Sequence, residues 1–128
     1  MAVARRAPAF DDQSEAYVLF RRATWFLDRR HPGQAAHLLE RALALEPGRN
    51  SIREALGRAL YAMGQTDRAA AQFKAIVDDV PDNDYAQFAL GRCLVRMGRT
   101  DEGVGRLRLA AALAPHSRLY REALGGTG

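Results

Sequence analysis

The stretch Asn50–Asn83, NSIREALGRALYAMGQTDRAAAQFKAIVDDVPDN, decides how this chain is read. Its apolar residues Ile52, Leu56, Ala59, Leu60 and Met63 recur at spacings of three and four, which places them on one face of a helix. Gly64-Gln65-Thr66-Asp67 interrupts that stripe. A second one follows through Ala69, Ala70, Phe73, Ile76, Val77 and Val80, and Pro81 closes the unit. The spacing predicts two short helices joined by a tight turn.

The unit returns 34 residues later, with Leu56-Gly57 repeated as Leu90-Gly91, Met63-Gly64 as Met97-Gly98 and Thr66-Asp67 as Thr100-Asp101. Pro47, Pro81 and Pro115 keep the same interval. So do Ala35, Ala69 and Gly103, and Leu39, Phe73 and Leu107. A fixed period of this size marks a repeat architecture. Leu-Gly, then Ala with a large apolar residue four places on, then Pro, resembles the tetratricopeptide repeat. The resemblance covers three repeats, about 16–49, 50–83 and 84–117. It implies an all-α fold: a right-handed α-solenoid of three helix-turn-helix hairpins. After Pro115, Arg121-Glu122-Ala123-Leu124-Gly125 repeats Arg53 to Gly57, so a fourth unit has begun. Its expected form is a short capping helix over about 117–125, closing a domain that spans 12–125. The type resembled is the small, stand-alone bacterial one.

A hydrophobic share of 48% and a charged share of 27% argue against bulk disorder. No signal-peptide core and no run of about 18 apolar residues occurs, so the expected location is cytoplasmic and off the membrane. The lone Cys93 leaves no internal disulfide and fits a reducing compartment. Eighteen arginines stand against the single Lys74, as a GC-rich genome would produce. The net charge of +4 is spread along the length and mixed with 15 acids, which disfavours nucleic-acid binding.

Residues 1–11 carry Pro8 and no period, and read as a mobile tail. Asp12 or Ser14 is expected to cap the first helix, Asn50 the third, and Thr66 and Thr100 the second helices of their hairpins. Gly64 and Gly98 are expected to end helices in the left-handed conformation. Gly57 and Gly91, mid-helix, fit a close approach of two helices. In the first unit Arg22-Ala23 replaces Leu-Gly, and Trp25 takes the place of Ala59 and Cys93, as an atypical terminal repeat would.

No catalytic or metal-binding pattern emerges. His31, His37 and His116 are scattered, and there is no HExxH, paired cysteine or phosphate-binding glycine loop. Cys93 reads as a buried core thiol. Asp78, Asp79, Asp82 and Asp84 read as a solvated loop and cap cluster. The chain is therefore expected to be no enzyme and to use neither cofactor nor metal.

The resemblance points instead to a concave groove lined by the first helix of each hairpin, at the second, fifth, ninth, twelfth and thirteenth places of each repeat. On this chain the candidate binding residues are Tyr17, Phe20, Glu54, Arg58, Tyr61, Tyr85, Phe88, Arg92 and Arg96. Aromatic and Arg side chains are those enriched at binding hot spots. The bland alternative is that the aromatics fill a narrow superhelix or, for Tyr17 and Phe20, pack on the N-terminal tail. Members that hold a chaperone's C-terminal carboxylate use a Lys and Asn clamp, whose places here hold Phe20, Thr24, Ala55, Tyr85 and Ala89. The expected function is a protein-interaction module for a partner peptide or helix with acidic and apolar side chains. The alternative is an assembly role through the solenoid ends, as a weak homodimer.

Overall fold

A computed structural model describes residues 8–127. Seven helices are present among them: α1 (Glu15–Asp28), α2 (Pro32–Leu45), α3 (Asn50–Ala62), α4 (Thr66–Asp79), α5 (Asp84–Arg96), α6 (Thr100–Leu113) and α7 (Arg118–Thr127). Pairs α1/α2, α3/α4 and α5/α6 form hairpins. Each second helix also packs on the next first helix: α2 on α3, α4 on α5, α6 on α7. One apolar core runs from α1 to α5, and a second, built from Phe88, Leu107, Ala110 and Tyr120, joins α5, α6 and α7.

The hairpin turns repeat one device. Gly64 and Gly98 have φ of 79° and 86°, and the next amides, of Gln65 and Arg99, donate back to Leu60 O and Leu94 O at 2.9 Å. That pair of features closes a helix with left-handed backbone, which glycine adopts without strain. The first hairpin makes the same closure, His31 N donating to Phe26 O at 2.9 Å, with Arg30 at φ 60°. A side chain there costs about 1–2 kcal/mol. Arg30→Gly is therefore expected to stabilise the fold by about 1 kcal/mol, seen as a higher urea midpoint at unchanged slope; a lower midpoint would contradict this reading.

The expected caps need correction by one residue. Gln65 and Arg99 are the N-caps of α4 and α6, without a side-chain cap bond, and Thr66 and Thr100 are already the first helical residues. The turn is so tight that a single glycine separates the C-cap of the incoming helix from the N-cap of the outgoing one. Asn50 likewise lies inside α3; its amide donates to Asp79 Oδ2 at 2.7 Å, and its oxygen accepts from Arg53. Side-chain caps do occur at Ser14 and Asn83, accepting from Tyr17 N and Ala86 N. Met63 and Val80 stand at the C-caps, exposed by 40% and 36%, so the apolar stripes end before them.

Mid-helix glycines mark the close contacts. A Cβ on Gly57 would fall 2.6 Å from the Phe73 ring, and one on Gly91 would fall 2.9 Å from Gly103 O. The first hairpin has Ala23 at that place, facing the smaller Leu39; both are fully buried. At Gly57 the space goes to the Phe73 ring, and at Gly91 to the backbone of Gly103 and to Leu107. That is packing.

Of the tail expected over 1–11, residues 1–7 lie outside the described part. Phe10 does not hang free: its ring stands 5.1 Å from Tyr17 and 5.4 Å from Phe20. At the other terminus α7 covers α5 and α6. Tyr120 stacks on Phe88 with centroids 5.0 Å apart, and its hydroxyl donates to Asp84 Oδ2 at 2.6 Å.

Candidate peptide-binding groove

The first helices α1, α3 and α5 bring the candidate residues to one side of the stack, but not as equals. At the α1 end, Tyr17 and Phe20 are half-buried beneath Phe10. Arg49, from the α2–α3 loop, holds that cover down: its guanidinium lies 4.4 Å from the Phe10 ring centroid and donates to Pro8 O at 2.8 Å. The chain's own N-terminal segment therefore fills the first-repeat part of the groove.

Beyond it the groove opens. A cavity of about 190 Å³ is lined by Arg58, Tyr61, Phe73, Tyr85, Phe88, Ala89 and Arg92. A wider depression of about 510 Å³ continues past Tyr61, Phe88 and Arg92 to Val95, Arg96, Leu119 and Glu122. Arg92 lies 4.8 Å from the Tyr61 centroid and 5.4 Å from that of Phe88, and donates to the Tyr61 hydroxyl at 3.3 Å. Arg96 stands over Tyr61 at 4.4 Å. Tyr61 thus has two guanidinium groups within cation–π range of its ring, an arrangement that orients them without neutralising them. Arg58, Arg92 and Arg96 are exposed and have no ion-pair partner among the described residues.

Phe88 departs from the expectation of a groove contact residue. It is 2% exposed, enclosed by Tyr120, Leu107 and Ala110, and forms the floor rather than the wall. Tyr85 is half-buried, edge-on to Phe73 at 6.3 Å; burial raises the pKa of its hydroxyl. Burial likewise raises that of the half-buried Glu54, against the pull of Arg58. Both groups are thereby biased toward their neutral forms. Cys93 lies beneath this face, fully buried, with its thiol pushed up to about 11 by burial, which makes it unreactive.

The reading of the sequence missed two contributors. Leu119, Glu122 and Gly126 of α7 line the second depression at the second, fifth and ninth places of the unfinished fourth unit, so carrying the register one period further would have found them. Phe10 stands outside any repeat, and no periodic signal marks it. Among the described residues no group of three or more His, Cys, Asp or Glu could hold a metal ion, and no helix is long and apolar enough to cross a membrane.

Stacked hairpins with an aromatic and cationic side define a helical-repeat scaffold that presents a surface. A family profile described as tetratricopeptide repeat matches residues 20–62 and 54–118, and the chain belongs to that family. No match is found among curated protein sequences. Solved structures agree on the fold. The first tetratricopeptide domain of Spaghetti, bound to the HSP90 peptide SRMEEVD, is similar at 13% identity over 94% of this chain and 95% of that one, with a TM-score of 0.84. The Arabidopsis OM64 tetratricopeptide domain gives 14%, 91%, 97% and 0.85 for the same quantities. YrrB, a tetratricopeptide protein with an unusual peptide-binding site, gives 22% over 87% of this chain and 57% of that one, at 0.81.

Proposed function

We propose that the chain is a non-enzymatic protein-interaction module, and that the open groove between α3, α5 and α7 binds a peptide or helix of a partner protein. Similar folds hold peptides, as Spaghetti and YrrB do, which supports the coarse reading. The finer reading rests on one observation. Three exposed guanidinium groups, Arg58, Arg92 and Arg96, gather at an aromatic cavity and the depression beside it, and none of them forms an ion pair among the described residues. Unpaired, pre-oriented guanidinium groups suit carboxylates, and the rings beside them suit aliphatic or aromatic side chains. The partner segment is therefore acidic and apolar. An affinity of about micromolar, roughly −8 kcal/mol, fits so small a groove.

The test is capture from the source cell's lysate by wild type and by Arg58→Glu/Arg92→Glu/Arg96→Glu. All three side chains are exposed, so the variant is expected to keep its helical circular dichroism. Partners held by wild type should be lost, and a synthetic peptide from the captured partner should bind the variant at least about tenfold more weakly. Equal capture by both proteins would remove the groove from the function.

A further inference from the structure

The repeat register exposes a second surface, at the α1 end of the stack. Val18, Arg22, Trp25 and Phe26 occupy the places that Ile52, Leu56, Ala59 and Leu60 hold on α3, and Ala86, Leu90, Cys93 and Leu94 hold on α5. Those eight later residues are at most 5% exposed, since α2 lies on α3 and α4 lies on α5. On α1 nothing among the described residues takes that role: Val18 is 57% exposed and Trp25 49%, even with Arg29 stacked 3.8 Å from the indole centroid.

The face is not a copy of the later ones. Where α3 has Leu56 and Ala59, α1 has a cation and an indole. Two shallow depressions adjoin there, one lined by Val18, Arg21, Arg22, Trp25 and Phe26, the other by Arg22, Phe26, His37, Leu38 and Arg41 among others. Neither is lined by an acid, and Arg22 and Arg41 have no ion pair among the described residues. We propose that this face docks an amphipathic helix of a partner protein, separate from the groove ligand. That helix has small residues opposite Trp25, an apolar stripe, and acids flanking it toward Arg22 and Arg41.

Charge decides between occupants. A second copy docking by the same face would set Arg21, Arg22 and Arg41 against themselves, and like charges opposed across an interface are strongly unfavourable. Residues 1–7 carry Arg5 and Arg6 and no acid, so they do not complement the face either. A helix with acidic flanks does.

Trp25 is the only tryptophan, so its emission reports on this face alone. The probe is a synthetic helical peptide with an Ala/Leu stripe flanked by Glu, titrated beside a twin flanked by Lys. The Glu-flanked peptide should blue-shift Trp25 emission saturably and protect it from acrylamide, and the Lys-flanked twin should not. Arg22→Glu/Arg41→Glu, with circular dichroism unchanged, should weaken the response at least about tenfold, whereas Arg92→Ala in the groove should leave it intact. The proposal is overturned by equal responses to both peptides or by none. It is also overturned if protection rises with protein concentration alone, which means a second copy, or if deleting residues 1–7 red-shifts the emission, which means the chain's own segment.

Discussion

Replacing Phe88 with alanine is expected to lower the unfolding free energy by about 3–5 kcal/mol, measured by urea denaturation. The ring is 2% exposed and is the hub where α5 meets α6 and α7: Tyr120 stacks on it at 5.0 Å, and Leu107 and Ala110 enclose it. Removing it leaves a cavity that Tyr120 cannot fill while its hydroxyl stays bound to Asp84 at 2.6 Å. The terminal helix should loosen first, so amide exchange in α7 is expected to rise before that in α3. Lost partner binding in this variant would report on stability, not on the groove surface. A loss below about 1 kcal/mol would show that Phe88 is not the hub its burial implies.

An effect of similar size is expected from Gly103→Val. A Cβ at Gly103 would stand 2.6 Å from Val95 Cγ2, 2.8 Å from Gly91 O and 2.9 Å from Val95 N. Two of those atoms are backbone, held in the hydrogen-bond ladder of α5, and cannot move aside as a side-chain tip could. The helices must part, at a cost of about 3 kcal/mol or more, and alanine should already show a large share. The expected result is a much lower thermal midpoint with α5/α6 packing disrupted. A wild-type midpoint would show that the hairpin can open without loss. The corresponding places in the first two hairpins hold Ala35 and Ala69, both fully buried, so a Cβ is accommodated there.

Most of the fold was legible because the period carries it. Gly64 and Gly98 announce left-handed turns, and Gly57 with Phe73 announces a close crossing, by residue type alone. The cap positions were less legible, since a threonine beside a turn reads equally as the cap or as the residue after it. In the groove, register shows which side a residue faces but not what lies on it. Phe20, Glu54 and Phe88 share one place in their repeats. One is covered by Phe10, one is half-open, and one is sealed by Tyr120. The covering residues come from segments 10 and 32 residues away, outside the repeat or in its unfinished copy. No local pattern encodes such contacts. Trp25 was visible as an anomaly of register, but its exposure is a property of the stack's end.

A solenoid groove has an ambiguity built into it, since near-identical places recur and an extended ligand could engage them one repeat out of step. The plug formed by Phe10, Pro8 and Arg49 removes that ambiguity here. With the first-repeat places already filled, the groove proposed here would act as a ruler with a fixed zero. On the proposed function, a ligand would read from Arg58 and Tyr61 toward α7 in a single frame, with the first repeat as its starting mark.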